Sequence, residues 1–546
     1  MRAVQATLRS ALCALLIAFA VLPASAAATS TQGEIDTAIT KALAFASAQG
    51  DAATGEPPAY DRTNFYSGEW LASGYAAAGL SAADVGAAPD PSLQDFLFGE
   101  LAGFWDGPSV LAPEYTGRLI LIAHAAGIDT ARISPTQNLP AELAATWKPT
   151  AGGFGEPNTF STAWGVLALR TTPLPTWALA PPLAYLRVDQ HPDGGWSFYP
   201  LAAGEESNPD ITAAAVGALC AGGIPAYDPT VSDGLAYLHA LQVKETGAIL
   251  NPEFGENIDT SSWTVNALNA CGIDPQSSAW TTADGKTPID HILSLQLAEG
   301  GFAWVEGEPW FPPSTGHALR ALAGDGFAVG PAPRQDPAQP TVRPVPAVEV
   351  GTPVPHVLAI ELAPGNVRLC DVTAPVGASL TEVLAAARSD SQPAGCVSSF
   401  LASEGEVEEI DGVAPEGAGE TWLVRLDRGS AAVAGRQSVG FGDVISLRRG
   451  PAPPDEAGGD GGGPAGASAD STGAAAGPPG QPGVAGQRGP RGRAGKRGAR
   501  GMRGKPGRNA SITCTIHRRR SNKPKVRCGV KHRSSRAARS GTLAAG

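Results

Sequence analysis

The chain has 546 residues, enough for two or three domains. Its net charge of −12 conceals two opposed regions: residues 1–487 hold 21 Lys and Arg against all 52 Asp and Glu, a charge of −31, while residues 488–546 hold 19 Lys and Arg and no acid. That asymmetry marks an acidic globular body with a basic interaction tail. No stretch is apolar for long enough to span a bilayer, and there is no C-x-x-C, which argues against a membrane-spanning chain and a zinc ribbon.

In chain order, Arg2 and Arg9, the apolar run 11–22 and Ala24-Ser25-Ala26 read as a signal peptide over residues 1–26. Export, with a secreted or cell-surface destination, is therefore expected. Cys13 leaves with the signal. The remaining six cysteines fall into local pairs, Cys220 with Cys271, Cys370 with Cys396 and Cys514 with Cys528. An even count in an oxidising compartment favours disulfides; local pairing is the simplest choice, and the sequence does not fix it.

Residues 33–330 repeat with a period near fifty. Segments such as "EWLASGYAAAGL" (69–80), "ITAAAVGALCAGG" (211–223) and "STGHALRALAGDG" (314–326) are rich in small apolar residues and end near Gly79, Gly222 and Gly324. They predict buried helices with glycine C-caps. Second helices lie between them, and "PPLAYLRVDQ", "VSDGLAYLHALQ" and "IDHILSLQ" each end at a Gln followed by a Gly turn. About six hairpins of this kind predict a mainly α fold, a closed α/α barrel (toroid), with an open solenoid as the other possibility.

The order Tyr185, Leu186, Gln190, Gly194, Trp196 resembles the QW repeat of squalene-hopene cyclases and protein prenyltransferases. Tyr237, Leu238, Gln242 and Gly247 match it without the Trp, and Gln296, Gly300 and Phe302 match it with Phe in the Trp place. The resemblance implies the barrel and says little about chemistry. The cyclases' acid motif D-x-D-D is absent, as is the magnesium motif D-D-x-x-D. The prenyltransferases' zinc site would need an Asp/Cys/His set, and a disulfide explains Cys220 and Cys271 more cheaply. No catalytic residue, no metal site and no enzyme are therefore expected.

Asn158, Asp210, Asp259 and Ser314 stand at the starts of the inner helices and read as caps. In a barrel of parallel inner helices these N-termini meet at one mouth, suited to a polar ligand carrying amides or phosphate. Trp164, Trp263, Trp304 and Trp310 lie near that rim, as does His317. His191 is a weak candidate for a metal in a ligand.

A Pro-rich linker (331–355) leads to residues 356–450, where strands (356–362, 367–372, 405–413, 421–427, 442–449) and a helix with capping-box spacing at Ser379 and Glu382 predict a small α+β domain. The succession "GASLTEVL", "EEIDGV", "ETWLVRLD", "FGDVISL" resembles the C-terminal domain of transcobalamin and intrinsic factor. That resemblance implies cobalamin or another corrinoid held between the two domains, with the barrel mouth and the loops near Trp422 and Phe441 facing it.

After a Gly/Ala-rich linker (451–476), Gly recurs at every third position from Gly477 to Gly507. Only Gly fits the axis of a collagen-like triple helix, so residues 477–508 predict a homotrimer, weakened by nine Lys or Arg without an acid. Residues 509–546 form a basic tail with a hairpin across Cys514 and Cys528. Such a tail suits nucleic acid, but export directs it to an anionic cell-envelope polymer. The expected function is an exported small-molecule-binding protein displayed by a basic stalk. A terpenoid-cyclase or prenyltransferase-like enzyme, or a surface adhesion protein, are the alternatives.

Overall fold

The computed structural model describes residues 29–452, apart from 62–66, 87–89, 104–111, 390–395, 418 and 436, together with 510–517 and 525–532. The expected signal peptide, nearly all of the Gly/Ala-rich linker and the collagen-like repeat lie outside the described residues. None of the described helices is long and apolar enough to cross a membrane. The chain divides into two units, residues 1–459 and 460–546. In the second, the described backbone is an antiparallel hairpin of Ala510–His517 and Lys525–His532, with Cys514 opposite Cys528.

In the first unit, the described helices up to residue 322 alternate between two layers. The inner ones are α2 (Trp70–Ala77), α4 (Pro113–Ala125), α6 (Thr159–Leu169), α8 (Pro209–Ala221), α10 (Ile258–Ala270) and α12 (Pro312–Leu322). The outer ones are α1 (Gln32–Ala46), α3 (Leu93–Gly103), α5 (Leu139–Ala145), α7 (Ala180–Val188), α9 (Pro229–Ala240) and α11 (Pro288–Ser294). Each inner helix packs on the next, and α12 packs back on α2. Every residue of α6 and α12 is buried, which is why their sequences are apolar or small on nearly all faces, His317 and Arg320 of α12 excepted. The return contact requires glycine on both sides: a Cβ at Gly74 would stand 2.8 Å from the Gly316 Cα, and one at Gly316 2.5 Å from the Trp70 carbonyl oxygen. A disulfide between Cys220 and Cys271 joins the C-terminal ends of α8 and α10.

The Gln-turn motif performs one operation three times. Gln190 Nε2 donates to Gly194 O (2.9 Å) within its own turn and to Thr230 O (2.8 Å) on α9. Gln242 Nε2 donates to Gly247 O (3.5 Å) and Trp280 O (2.8 Å), ahead of α11. Gln296 Nε2 donates to Gly300 O (2.9 Å) and to Ala38 O (2.8 Å) on α1. Each turn is thereby fastened to the next outer helix or its approach, and the last returns to the first helix. Gly194 has φ 89°, and a Cβ there would meet the Asp233 carbonyl oxygen at 2.5 Å, so the turn needs glycine twice over. Trp196 is fully buried, its indole donating to Leu186 O at 2.8 Å.

Two expectations are corrected in detail. The left-handed residue after α8 is Gly223 (φ 93°), whereas Gly222 stays right-handed; its missing Cβ makes room for the Leu183 side chain. The outer helices α1, α3 and α5 carry no Gln-turn signal, and α5 has only seven residues, too short for its periodicity to show.

Beyond the linker lies a five-stranded sheet of β1 (Pro353–Ala363), β2 (Asn366–Pro375), β5 (Glu420–Leu426), β6 (Ala432–Val433) and β7 (Val444–Pro451), in the order β6-β5-β7-β1-β2. Only the β7–β1 pair is parallel. A separate hairpin joins β3 (Phe400–Ser403) and β4 (Glu406–Ile410). Helix α13 (Leu380–Ser389) opens with the expected capping box: Ser379 N donates to Glu382 Oε2, and Glu382 N to Ser379 Oγ. A disulfide ties Cys370 on β2 to Cys396 after α13.

The sheet is buried on both faces. Leu358, Ile360, Val372, Trp422 and Leu447 pack under α13, while Val357, Ala359, Val367, Leu369 and Val444 join the core of the helical domain. Polar contacts complete the junction. Arg132, after α4, donates to Phe441 O (2.6 Å) and pairs with Asp129, Asp427 and Asp443; Asn138 Nδ2 donates to Pro355 O at 2.9 Å.

Gln296→Ala and Gln190→Ala are each expected to lower the unfolding free energy by about 1–3 kcal/mol, because each leaves shielded carbonyls unpaired. Urea unfolding followed by tryptophan fluorescence measures this. Similar losses at the two sites show that the return contact is equivalent to an internal one.

Candidate active site at the inner-helix N-termini

The starts of the inner helices place the polar groups. Asn158, Asn208 and Asn257 are the N-caps of α6, α8 and α10, accepting from Ser161 N, from Asp210 N and Ile211 N, and from Thr260 N. Asp210 and Asp259 were expected to cap and do not. In α8 the reason is steric: the residue before Pro209 must be extended, so Asn208 takes the cap and Asp210 enters the first turn. Ser314 also lies inside its helix, whose N-cap Phe311 makes no side-chain bond.

Freed from capping, these side chains reach sideways. Ser161 Oγ donates to Glu114 of the preceding inner helix (2.6 Å), and Ser314 Oγ donates to Asp259 of the preceding one (2.8 Å). Asp210 takes the amide of Asn251 (3.1 Å), which also reaches Thr260 Oγ1 (3.3 Å) on the following helix. The other carboxyl oxygen of Asp210, Oδ1, is sealed from solvent and has no hydrogen-bond partner, although the residue keeps some exposed surface. Burial pushes this carboxyl up to about 7; the Asp259 charge acts in the same sense, and the Thr260 hydroxyl and Asn251 amide act against it.

Beside Asp259 sits His317, buried, with Nδ1 3.1 Å from Asp259 Oδ1 and 3.3 Å from Trp263 Nε1. Nδ1 can donate to the carboxylate or accept from the indole, but not both. Burial holds this imidazole below its ordinary pKa, with Asp259 opposing. Trp263 packs edge-on against Trp164 (5.4 Å), Trp164 lies 5.9 Å from Trp70, and Phe327 closes the group. Arg320 is fully buried over the Trp70 ring (4.9 Å) and donates to Ser73 Oγ at 3.0 Å; its Nε and Nη2 have no partner, and burial pulls it down to about 9.

The structure thus brings Asp210, Asp259, Trp164, Trp263 and His317 to one end of the inner helices. Trp304 and Trp310 are half-buried alongside: Trp304 O accepts from Ile258 N, and Trp310 donates to Thr315 Oγ1. His191 is buried with both ring nitrogens beside serine hydroxyls, Ser197 and Ser207. Trp422 is buried in the core under α13, and Phe441 lies beside Arg132 in the loop after α4, at the opposite ends of the inner helices from Asp210. Arg118 and Arg320 were missed. Their signal was a lone cation inside an otherwise small and apolar helix.

No family model matches the chain. Among curated proteins, drimenyl diphosphate synthase of Streptantibioticus cattleyicolor is 30% identical over 152 residues, 27% of this chain and 27% of that protein. The chain therefore spans about a quarter of that relative's length. Among solved structures, the type II terpene cyclase MstE from Scytonema (apo) is 16% identical with a TM-score of 0.39, covering 54% of this chain and 98% of that one. Haptocorrin in complex with Cbi is 12% identical with a TM-score of 0.30, covering 77% and 97%. The match to the synthase overturns the expectation that the chain is no enzyme. The absence of D-x-D-D was too narrow a test of that expectation.

A carboxyl whose pKa is raised on folding binds its proton more tightly in the native state. Stability should therefore fall as pH rises from about 4 to about 7 and then level off. Asp210→Asn should flatten that part of the profile, as read from urea unfolding across the pH series.

Proposed function

We propose that the helical domain is a closed α/α toroid carrying proton-initiated chemistry of the terpenoid-cyclase type, with Asp210 as the proton donor. The observation that carries this reading is the sealed, unpartnered Oδ1 of Asp210, on a carboxyl pushed up to about 7. Such an acid keeps its proton near neutral pH and can pass it to a substrate alkene. The Asn251 amide then holds the carboxylate that remains. The faces of Trp164, Trp263 and Trp70 suit a carbocation. Loss of a proton ends the sequence, so the reaction is redox-neutral. The partial match to a synthase agrees with this class.

Incubation of the secreted chain with squalene and with an acyclic prenyl diphosphate, followed by mass spectrometry, tests the reading. Cyclised product is expected, with activity falling as pH rises through about 7 and dropping at least about 100-fold in Asp210→Asn. No product from either substrate class overturns it.

A second reading, a corrinoid or other small molecule held where the helical and α+β domains meet, is supported by the firm junction at Arg132. Titration with cobalamin and cobinamide, followed by absorbance, tests it; no spectral change and no retained corrinoid argue against it. We also propose export to the cell surface and display on a basic trimeric stalk, motivated by residues 1–26 and the glycine rhythm of 477–508.

A further inference from the structure

The junction of the two domains holds a cleft of about 630 Å³ between the loop after α6 (residues 170–177) and the outer face of β5 and β7. Four arginines line it, Arg170, Arg425, Arg428 and Arg448, and no Asp or Glu does. Strand alternation places them. Trp422 and Val424 point into the core under α13, so Leu423 and Arg425 point the other way; Ile445 and Leu447 point inward, so Ser446 and Arg448 face the cleft. The antiparallel register sets Arg425 opposite Ser446 and Arg448 opposite Leu423, which brings both cations onto one patch.

In a body carrying 52 acids this patch is anomalous. Several other arginines of this unit are paired: Arg132 with three carboxylates, Arg187 with Asp228, Arg334 with Asp84 and Arg449 with Glu416. Among the described residues none of the four cleft arginines pairs with a carboxylate. Arg170 is held by a bond from Nε to Ala221 O (2.9 Å), which leaves its terminal nitrogens for the cleft. Arg425 Nε is shielded and unpartnered. Four like charges along one cleft favour an anion between them. Leu174, Trp177 and Leu423 supply an apolar wall beside the cations.

We infer that this cleft is a binding site for a phosphate ester with an apolar group, the phosphate taken by Arg425 and Arg448 and the apolar part laid against Trp177. The guanidinium fork matches phosphate oxygens in pairs, and a part-enclosed cleft limits screening by salt. The site is distinct from Asp210; it shares the domain junction with the second reading but rests on the arginine lining and not on a corrinoid.

Isothermal titration of the full secreted chain with octyl phosphate, inorganic phosphate and octanol tests the inference. Octyl phosphate should bind at least about tenfold more tightly than inorganic phosphate, and octanol should not compete. The double variant Arg425→Gln/Arg448→Gln should weaken octyl phosphate more than about tenfold with an unchanged thermal midpoint. Asp210→Asn should leave it unaffected, which separates failure here from failure of the acid reading. Vesicles of phosphatidic acid, against phosphatidylcholine, identify the source: arginine-dependent capture points to a lipid headgroup, and soluble binding without capture to a free ester. Octyl phosphate binding that is absent, or is unchanged in the double variant, overturns the inference.

Discussion

A glutamine side-chain amide shared between two carbonyls holds the helical domain together. Gln190, Gln242 and Gln296 each donate once inside their own turn and once to the next outer helix or the segment leading into it. One amide thus satisfies a turn and fixes the neighbour's position, which a serine, with a single donor, could not do. The glycine four or five residues on is needed because the following helix's backbone comes within van der Waals contact of the turn. Helix packing elsewhere is non-directional burial; these bonds set the spacing at which the inner helices then meet.

That spacing governs the chemistry. With the inner helices side by side, the first turn of one lies against the first turn of the next, and acids reach hydroxyls across the gap. Asn caps make this possible by taking over the backbone donors and releasing the acids. Asp210 differs from its counterparts Glu114 and Asp259 in holding an oxygen that is sealed from solvent without a partner. Burial of the carboxyl is the main cause of its raised pKa.

The period of fifty, the alternation of two helix classes and most strands of the smaller domain were legible because each rests on local chemistry: glycine C-caps, the Gln-turn and a period of two. Helix α5 was hidden by its length. The location of the caps was misjudged because Asp and Asn are both good caps, and only the proline at position 209 separates them. The divergence of Trp422 from the barrel residues was invisible, since strand alternation shows that Trp422 and Val424 share a face but not which core that face meets. The arginine cleft was equally hidden, because its members come from residues 170 and 425–448 and meet only through the sheet register. The expectation of no enzyme rested on a motif search along the chain, whereas side chains such as Asp210 and Asn251 meet across it.

The return of the last Gln-turn to α1 has a further consequence. Gln296 treats Ala38 as Gln190 treats Thr230, and Gly316 meets Trp70 as closely as any inner pair meets. The contact of the last helices with the first is thus built like those between successive ones, and a connection bridging α12 to α1 with a break opened at another loop would preserve the same set of neighbours. This has a kinetic side: the contact joins residues 258 positions apart, so it carries a larger loop-closure cost than the contacts within a hairpin.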